Sequence, residues 1–308
     1  MTGPRPAGTP PGVAAPGGDR FALDPTGVRR AFTRAAATCD AVAVLQREVR
    51  ARLLERLELV KIEPQVVVDA GAGTGHGTIA LKRRYRASRV IALDLAEAML
   101  REARHQQTLF RRFDRVCADF ARLPFADHSV DLLFSNLTLQ WCGVPDAVFG
   151  ECRRVLRPGG LLTFTTLGPD TLRELRAAWA AVDADTHVNR FIDMHDLGDA
   201  LVRAGLAEPV MDVERYTLTY RDARELMRDL KALGAHNVNA GRPRGLVGKG
   251  RLAGMLSAYE QFRRSEDGRL PATCEVVFGH AWAPAVRGPR TREIAVPVAG
   301  IGRRRREE

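Results

Sequence analysis

The sequence contains very little lysine for so basic a chain. Lysine and arginine together number 47 of 308 residues, against 37 acidic residues, and the formal net charge is +10. Lysine nevertheless occurs only at positions 61, 82, 231 and 249, so nearly all of the positive charge is arginine. A basic surface favours an acidic partner, either a nucleic acid or an acidic protein.

Long apolar runs and metal-binding spacings are also missing. No stretch approaches the roughly 18 consecutive apolar residues that a membrane helix requires, which argues against a membrane protein. The cysteines show neither a C-x-x-C pair nor a zinc-type spacing; they are Cys39, Cys117, Cys142, Cys152 and Cys274. We therefore expect reduced thiols, a cytoplasmic location and no bound metal.

The two ends of the chain differ in composition from its middle. Residues 1–20 are rich in proline, glycine and alanine and are predicted to form a disordered arm, and residues 284–308 are predicted to form a basic flexible tail. A single domain is expected over 21–283. Its expected parts are an N-terminal helix over 28–60, a cofactor-binding core over 64–167, and a lid with closing strands over 168–283.

Apolar strands and amphipathic helices alternate through the core. After the first strand near residue 66, the pattern predicts strands over 89–95, 113–117, 130–136 and 161–167, with helices over 78–85, 97–107 and 146–156. This alternation predicts an α/β fold with a parallel sheet covered on both faces. Later helices are predicted over 170–182, 194–205, 223–233 and 250–264, and later strands over 210–220 and 273–280. These helices are expected to form the lid.

The first strand ends in a glycine-rich loop. The β-branched run ends at Asp69, and Gly71, Gly73 and Gly75 follow at alternate positions. Glycines let the backbone turn sharply and approach a ligand closely, and in a βα unit a nucleotide-like cofactor lies at this point. The D-x-G-x-G-x-G pattern resembles motif I of the class I S-adenosylmethionine (SAM) methyltransferases. Asp69 is expected to order this loop or to meet the amino acid end of the cofactor.

One acidic residue closes the second strand, and another follows the third. Asp94 can accept both ribose hydroxyls of a nucleotide, an interpretation that fits NAD as well as SAM. Asp119 can accept the adenine amino group, and Phe120 can offer its backbone N–H to the ring. The segment after the fourth strand contains Asn136 and Leu137, whose amide and backbone are expected to meet the cofactor's ammonium group.

Motifs further along the chain than the glycine loop indicate a narrower family. They are the segments 135–142 (SNLTLQWC), 164–167 (FTTL), 171–175, 181–183, 187–191 (HVNRF) and 230–235. Together with motif I they resemble the malonyl-acyl carrier protein O-methyltransferases of biotin synthesis, over about residues 28–282. The resemblance implies a Rossmann-like class I methyltransferase fold, a seven-stranded mostly parallel sheet and a helical lid inserted near the C-terminal strands.

The resemblance also implies the reaction, which is methyl transfer from SAM to the free carboxylate of a malonyl thioester. The partner would be an acidic acyl carrier protein carrying malonyl-phosphopantetheine, or malonyl-CoA, with no nucleic acid. No residue is assigned as a general base, because a carboxylate with a pKa near 4 is already ionised. The expected substrate-orienting residues are Gln140, Trp141, His187, Asn189 and Arg190, with Arg190 the candidate for the malonyl carboxylate.

One position departs from the family pattern, and two other functions compete. The family has a tyrosine before Asp40, where this chain has Cys39. A SAM-fold hydroxylase or assembly factor related to mitochondrial complex I assembly is the first alternative, although Gln140 argues against it because that group is expected to have histidine there. A nucleic-acid methyltransferase is the second alternative, and the sequence after Asn136 lacks the prolines expected of an amino-directed enzyme.

Overall fold

The computed structural model of the protein describes residues 23–235, 237–239 and 248–285. The predicted arm over 1–20 and almost all of the predicted tail over 284–308 lie outside these described residues. Within the part of the chain that the structure describes, no helix is both long enough and apolar enough to cross a membrane.

The centre of the molecule is a seven-stranded sheet. The strands are β1 (Val66–Ala70), β2 (Arg89–Asp94), β3 (Asp114–Cys117), β4 (Val130–Ser135), β5 (Leu156–Leu167), β6 (Ala207–Tyr220) and β7 (Leu270–Trp282). Their order across the sheet is β3-β2-β1-β4-β5-β7-β6. The pairs among β1 to β5 are parallel, and β7 is antiparallel to both of its neighbours. The predicted mostly parallel sheet is therefore confirmed.

Ten α-helices surround this sheet in the described ranges. They are α1 (Pro25–Ala35), α2 (Cys39–Val42), α3 (Val44–Arg56), α4 (His76–Arg84), α5 (Glu97–Ala103), α6 (Pro145–Val155), α7 (Arg173–Ala180), α8 (Met194–Arg203), α9 (Ala223–Ala232) and α10 (Lys249–Tyr259). The prediction of one helix over 28–60 is wrong, because that segment is divided into α1, α2, α3 and a short 3-10 helix. Ala43 interrupts the helical backbone with a ψ angle of +45°.

Apolar side chains bury both faces of the sheet. Val67 of β1 packs with α3 and α4 residues such as Leu53 and Leu81, whereas Val68 packs on the opposite face with α6 residues such as Phe149. This alternation is the two-residue period of a strand covered on both sides. Burying a side chain of this size stabilises the fold by about 1.5–3 kcal/mol.

The lid is smaller than the sequence predicts. Helices α7, α9 and α10 share an apolar cluster that includes Trp179, Leu226 and Met255. Helix α8 belongs instead to the sheet, because Leu197 and Leu201 are buried in the cluster beneath α6. The lid therefore consists of α7, α9 and α10.

Strand β5 begins earlier than the predicted 161–167 and contains a bulge. Strand β5 begins at Leu156, which pairs with Val130, and the next pair joins Leu161 to Leu132. Residues 157–160, with their Pro-Gly-Gly sequence, thus loop out within the strand. Gly159 has a φ angle of +81°, and its N–H donates to the Ala283 carbonyl at 2.9 Å.

Candidate functional site

The glycine loop after β1 packs against the end of β2 and against the segment that follows β4. Gly71, Gly73 and Gly75 have φ angles of +79°, +52° and +85°, in the region that glycine reaches without strain. The Gly71 N–H donates to the Leu93 carbonyl at 2.8 Å. A Cβ atom on Gly71 would lie only 2.0 Å from Thr138 Oγ1, so this position has no room for a side chain.

A half-buried carboxylate, Asp94, holds the glycine loop, and a buried one, Asp69, holds the helix that follows it. Asp94 accepts hydrogen bonds from the N–H groups of Gly73 at 2.9 Å and Ala96 at 2.8 Å. Asp69 accepts the Thr78 hydroxyl at 2.6 Å and is 2% exposed. Burial raises the pKa of Asp94 and raises that of Asp69 to about 6. Asp69 therefore holds the first turn of α4, which directly follows the glycine loop.

A cavity of about 470 Å³, called here the glycine-loop cavity, lies over this loop. Its walls include eight of the nine predicted cofactor-binding residues, namely Asp69, Gly71, Gly73, Asp94, Asp119, Phe120, Asn136 and Leu137. Its volume is typical of a small-molecule site. Gly75 is the exception, because it begins α4 and faces Ala103, 2.8 Å from where its Cβ would lie.

The N-terminal helices close the top of the glycine-loop cavity. Asp40 of α2 accepts the Thr74 hydroxyl at 2.7 Å and lies 3.1 Å from His76 Nε2. The neighbouring Cys39 lines the cavity where the family tyrosine would be, and burial raises the pKa of its thiol to about 11. Arg50 of α3 also lines the cavity. No motif marks Arg50 in the sequence, and we did not predict it.

The segment after β4 is strained and tightly held. Leu137 has a φ angle of +51°, and such a left-handed non-glycine residue costs about 1–3 kcal/mol unless its surroundings enforce it. Here the Leu137 N–H donates to the carbonyl of Thr165 at 3.1 Å and to its hydroxyl at 2.9 Å. The Thr165 hydroxyl in turn donates to Asn136 Oδ1 at 3.0 Å, and Asn136 Nδ2 donates to the Gln46 carbonyl.

Gln140 and Trp141 follow in a single 3-10 turn. Gln140 Nε2 donates to the Leu137 carbonyl at 2.7 Å, and its Oε1 accepts the Thr166 hydroxyl at 3.1 Å. The Trp141 ring packs edge-on against Phe32 of α1 at 5.2 Å between centroids. Gln140 is thus fixed between two strands, while Trp141 joins the N-terminal helix to the glycine-loop cavity.

A second and larger cavity, of about 1060 Å³, lies beside the first beneath α7 and is called here the lid cavity. The predicted substrate-orienting residues His187, Asn189 and Arg190 are among the residues that line it. Gln140 and Cys142 line both cavities, which therefore meet at these two residues. Ligands bound in the two cavities would therefore share Gln140 and Cys142 as wall residues.

Two of the predicted substrate residues have structural partners. The His187 ring stacks on Trp179 at 3.7 Å between centroids, and its Nε2 lies 2.8 Å from Asp183 Oδ1. Asn189 is 5% exposed, and its Oδ1 accepts the Val238 N–H at 3.1 Å. Their contact with substrate remains a prediction.

The sheet order, the glycine loop after β1 and the acid at the end of β2 define a class I SAM-dependent methyltransferase fold. The family model for the methyltransferase domain matches residues 68–164. A Bacillus halodurans protein provisionally assigned as a methyltransferase shares this fold at a TM-score of 0.55 and 18% identity, covering 77% of this chain and 99% of that one. A SAM-dependent methyltransferase of Thermotoga maritima does so at 0.50 and 18%, covering 83% and 99%.

Curated relatives define the family more narrowly. The malonyl-acyl carrier protein O-methyltransferase of Methylovorus sp. is 57% identical over 87% of this chain and 92% of its own length. The enzyme of the same name from Laribacter hongkongensis is 55% identical over 88% and 94%. The chain belongs to the malonyl-acyl carrier protein O-methyltransferases. The resemblance drawn from the sequence is confirmed, and the hydroxylase alternative is not favoured.

Proposed function

We propose that this chain transfers a methyl group from SAM to the free carboxylate of a malonyl group carried on acyl carrier protein, forming the methyl ester. One observation carries the proposal: the glycine-loop cavity, suited to the cofactor, meets an arginine-containing lid cavity at Gln140 and Cys142. Membership of the family supports it. The resemblance places the reaction early in biotin biosynthesis.

The residues of the glycine-loop cavity fit SAM. Asp94 keeps carboxylate lone pairs beyond its two backbone bonds, and these suit the ribose hydroxyls. Asp119 and Phe120 would hold the adenine end, and Asp69, Asn136 and Leu137 would hold the methionine end. When bound, SAM supplies an electrophilic methyl group on a sulfonium.

The lid cavity would bring the acceptor oxygen into line and keep water out. A malonyl carboxylate is ionised at neutral pH, so no side chain has to remove a proton. The contribution of the protein is then orientation, together with exclusion of competing water. Gln140, which is hydrogen-bonded to Leu137 and Thr166, provides a fixed wall at the junction.

Charge supports an acidic carrier protein as the partner. The formal net charge of +10 would steer an acidic protein toward this surface, and salt would weaken such steering. We propose acyl carrier protein as the carrier because the curated relatives are named for it, and a cytoplasmic location for both proteins.

Intact-mass spectrometry of the carrier tests the function. The protein is incubated with SAM and malonyl-acyl carrier protein, and the carrier is expected to gain one methyl group. Acetyl-acyl carrier protein, which lacks the free carboxylate, is the matched control and is expected to gain none. If calorimetry shows SAM binding but malonyl carrier is unchanged, even in the Cys39→Tyr variant, the proposed function is wrong.

A further inference from the structure

Arg176 of α7 is a half-buried cation in the wall of the lid cavity. Its Nη2 donates to the carbonyl of Pro169, which lines the same cavity. Burial lowers the pKa of this guanidinium, which nevertheless remains charged at neutral pH. A guanidinium that has lost part of its water gains from an anionic ligand.

The acids near Arg176 are held by other groups. Glu174 accepts the N–H and the hydroxyl of Thr273. Glu275 accepts the Asp170 N–H at 2.8 Å, and Arg215 lies 3.6 Å from the Glu275 carboxylate and 3.3 Å from that of Asp170. Among the described residues no carboxylate lies within salt-bridge distance of Arg176, so one edge of its guanidinium has no acidic partner.

The segment that carries Arg176 is anchored to β7. Leu172 has a φ angle of +56°, and its N–H donates to the Thr273 carbonyl at 2.7 Å. The Thr171 hydroxyl donates to the Glu275 carbonyl at 3.0 Å. Because these contacts are buried, the start of α7 is fixed before any ligand arrives, which lowers the ordering cost of binding.

We propose that Arg176, rather than Arg190, binds the free carboxylate of the malonyl group in the lid cavity. The inference rests on the proposed function. Arg190 is exposed, and it already has an interaction of its own. Arg176 is half-buried, and within the described ranges its guanidinium makes one hydrogen bond, to the Pro169 carbonyl.

The geometry leaves the carboxylate reactive. Pro169 occupies one edge of the guanidinium, so the remaining N–H groups can bind one carboxylate oxygen from the side. The second oxygen then stays available for attack on the methyl group. Thr166, near the end of β5, lines the same cavity, and its hydroxyl donates to Gln140 at the junction. This contact connects the wall of the lid cavity near Pro169 with the glycine-loop cavity.

Differential binding tests this assignment. The dissociation constants of malonyl- and acetyl-acyl carrier protein are measured by calorimetry for the enzyme saturated with S-adenosylhomocysteine. The unmodified enzyme is expected to prefer the malonyl form about 10- to 100-fold, the range for a hydrogen-bonded charged group. Arg176→Gln is expected to remove this preference while leaving acetyl-carrier affinity unchanged, which also shows that the variant is folded.

Arg190→Gln is the matched control and is expected to keep the preference. If Arg176→Gln does not fold, Arg176→Lys serves instead and is expected to lose most of the preference, since lysine lacks the planar fork. A preference that survives in the Arg176 variants, or that is absent from the unmodified enzyme, overturns the assignment. Failure of the proposed function itself is recognised separately, as absence of methyl ester from the unmodified enzyme.

Discussion

The two cavities that meet at Gln140 are built in different ways. The glycine-loop cavity is formed largely by the ends of adjacent parallel strands and by the loops that directly follow them. The lid cavity depends on side-chain contacts between distant parts of the chain, such as that of Glu174 with Thr273, 99 positions apart. The first site is therefore sensitive to backbone geometry, and the second to buried polar side chains.

The largest expected effect comes from a methyl group added to the glycine loop. Gly71→Ala would force left-handed alanine and a clash with Thr138, which together cost about 2–5 kcal/mol. We expect SAM affinity to fall at least about 100-fold and the unfolding temperature to drop, measured by calorimetry and thermal melting.

Gly73→Ala is the matched control within the same loop. Gly73 also has a positive φ angle, but a Cβ atom there would meet nothing within 4 Å. The cost of the left-handed backbone, about 1–2 kcal/mol, should be the only destabilisation in this variant. Its unfolding temperature should therefore be higher than that of Gly71→Ala. Equal melting temperatures would show that contact with Thr138 does not determine the loop.

The raised pKa of Asp69, in the wall of the glycine-loop cavity, makes the stability of the folded protein depend on pH. Its folded pKa of about 6 lies above the ordinary 3.8, so between these values the folded state binds more protons than the unfolded state. Stability is then lost as pH rises from about 4 to 6, by up to about 3 kcal/mol, and stays lower above it. Asp69→Asn should therefore unfold at a higher temperature than the unmodified protein at pH 7.5.

The comparison with pH 4.5 tests the cause of that gain. There Asp69 is largely protonated in the folded state, so the advantage of Asp69→Asn should shrink. The Thr78 hydroxyl can still bond to the asparagine oxygen, which keeps the contact in both proteins. An advantage that is the same at both pH values would argue that titration of Asp69 is not responsible.

A smaller effect, confined to the lid side, is expected from Thr273→Val. This change removes the hydroxyl that donates to Glu174 and leaves part of a buried carboxylate unpaired, at about 1–3 kcal/mol. We expect KM for malonyl carrier to rise about fivefold to tenfold, while SAM affinity measured by calorimetry stays unchanged.

Thr163→Val makes the same substitution elsewhere in the sheet. Thr163 is also 4% exposed, yet its hydroxyl contacts no carboxylate among the described residues. Little change in KM is expected. If Thr273→Val weakened SAM binding as much as acceptor binding, the two cavities would not be independent.

The same contrast explains what could be predicted from the sequence. The predicted cofactor-binding residues Gly71, Gly73 and Asp94 lie at or just after the ends of strands whose apolar runs are visible along the chain. All three line the glycine-loop cavity. Arg176 and Arg50 could not be found in this way, because only tertiary packing decides which of the many arginines face a cavity.

Local signals also fail where tertiary contacts intervene. Apolar spacing predicts one helix over 28–60, but the backbone breaks at Ala43, and Asp40 bonds to Thr74 and His76 across the loop. Likewise, α8 is amphipathic like the lid helices, yet Leu197 and Leu201 are buried beside the sheet. Periodicity identifies a buried face without identifying its partner.

The smallest expected effect is a difference in thiol reactivity between the cavities and the surface. Burial raises the pKa of Cys39 in the glycine-loop cavity to about 11, and that of Cys142 at the junction to about 12. At pH 8 about a thousandth or less of either thiol is ionised, and the thiolate is the reactive form. Cys117 is exposed and should react with iodoacetamide before the other two thiols. The order of labelling is measured by peptide mass spectrometry.

Adding S-adenosylhomocysteine sharpens this last test. Cys39 lines only the glycine-loop cavity, whereas Cys142 lines both cavities. The ligand should therefore slow the labelling of Cys39 and leave that of Cys117 unchanged, and Cys117→Ser should remove the fast phase. Because Cys142 remains accessible from the lid cavity, it should be protected fully only when malonyl carrier is also present. Full protection of Cys142 by S-adenosylhomocysteine alone would mean that the two cavities behave as one.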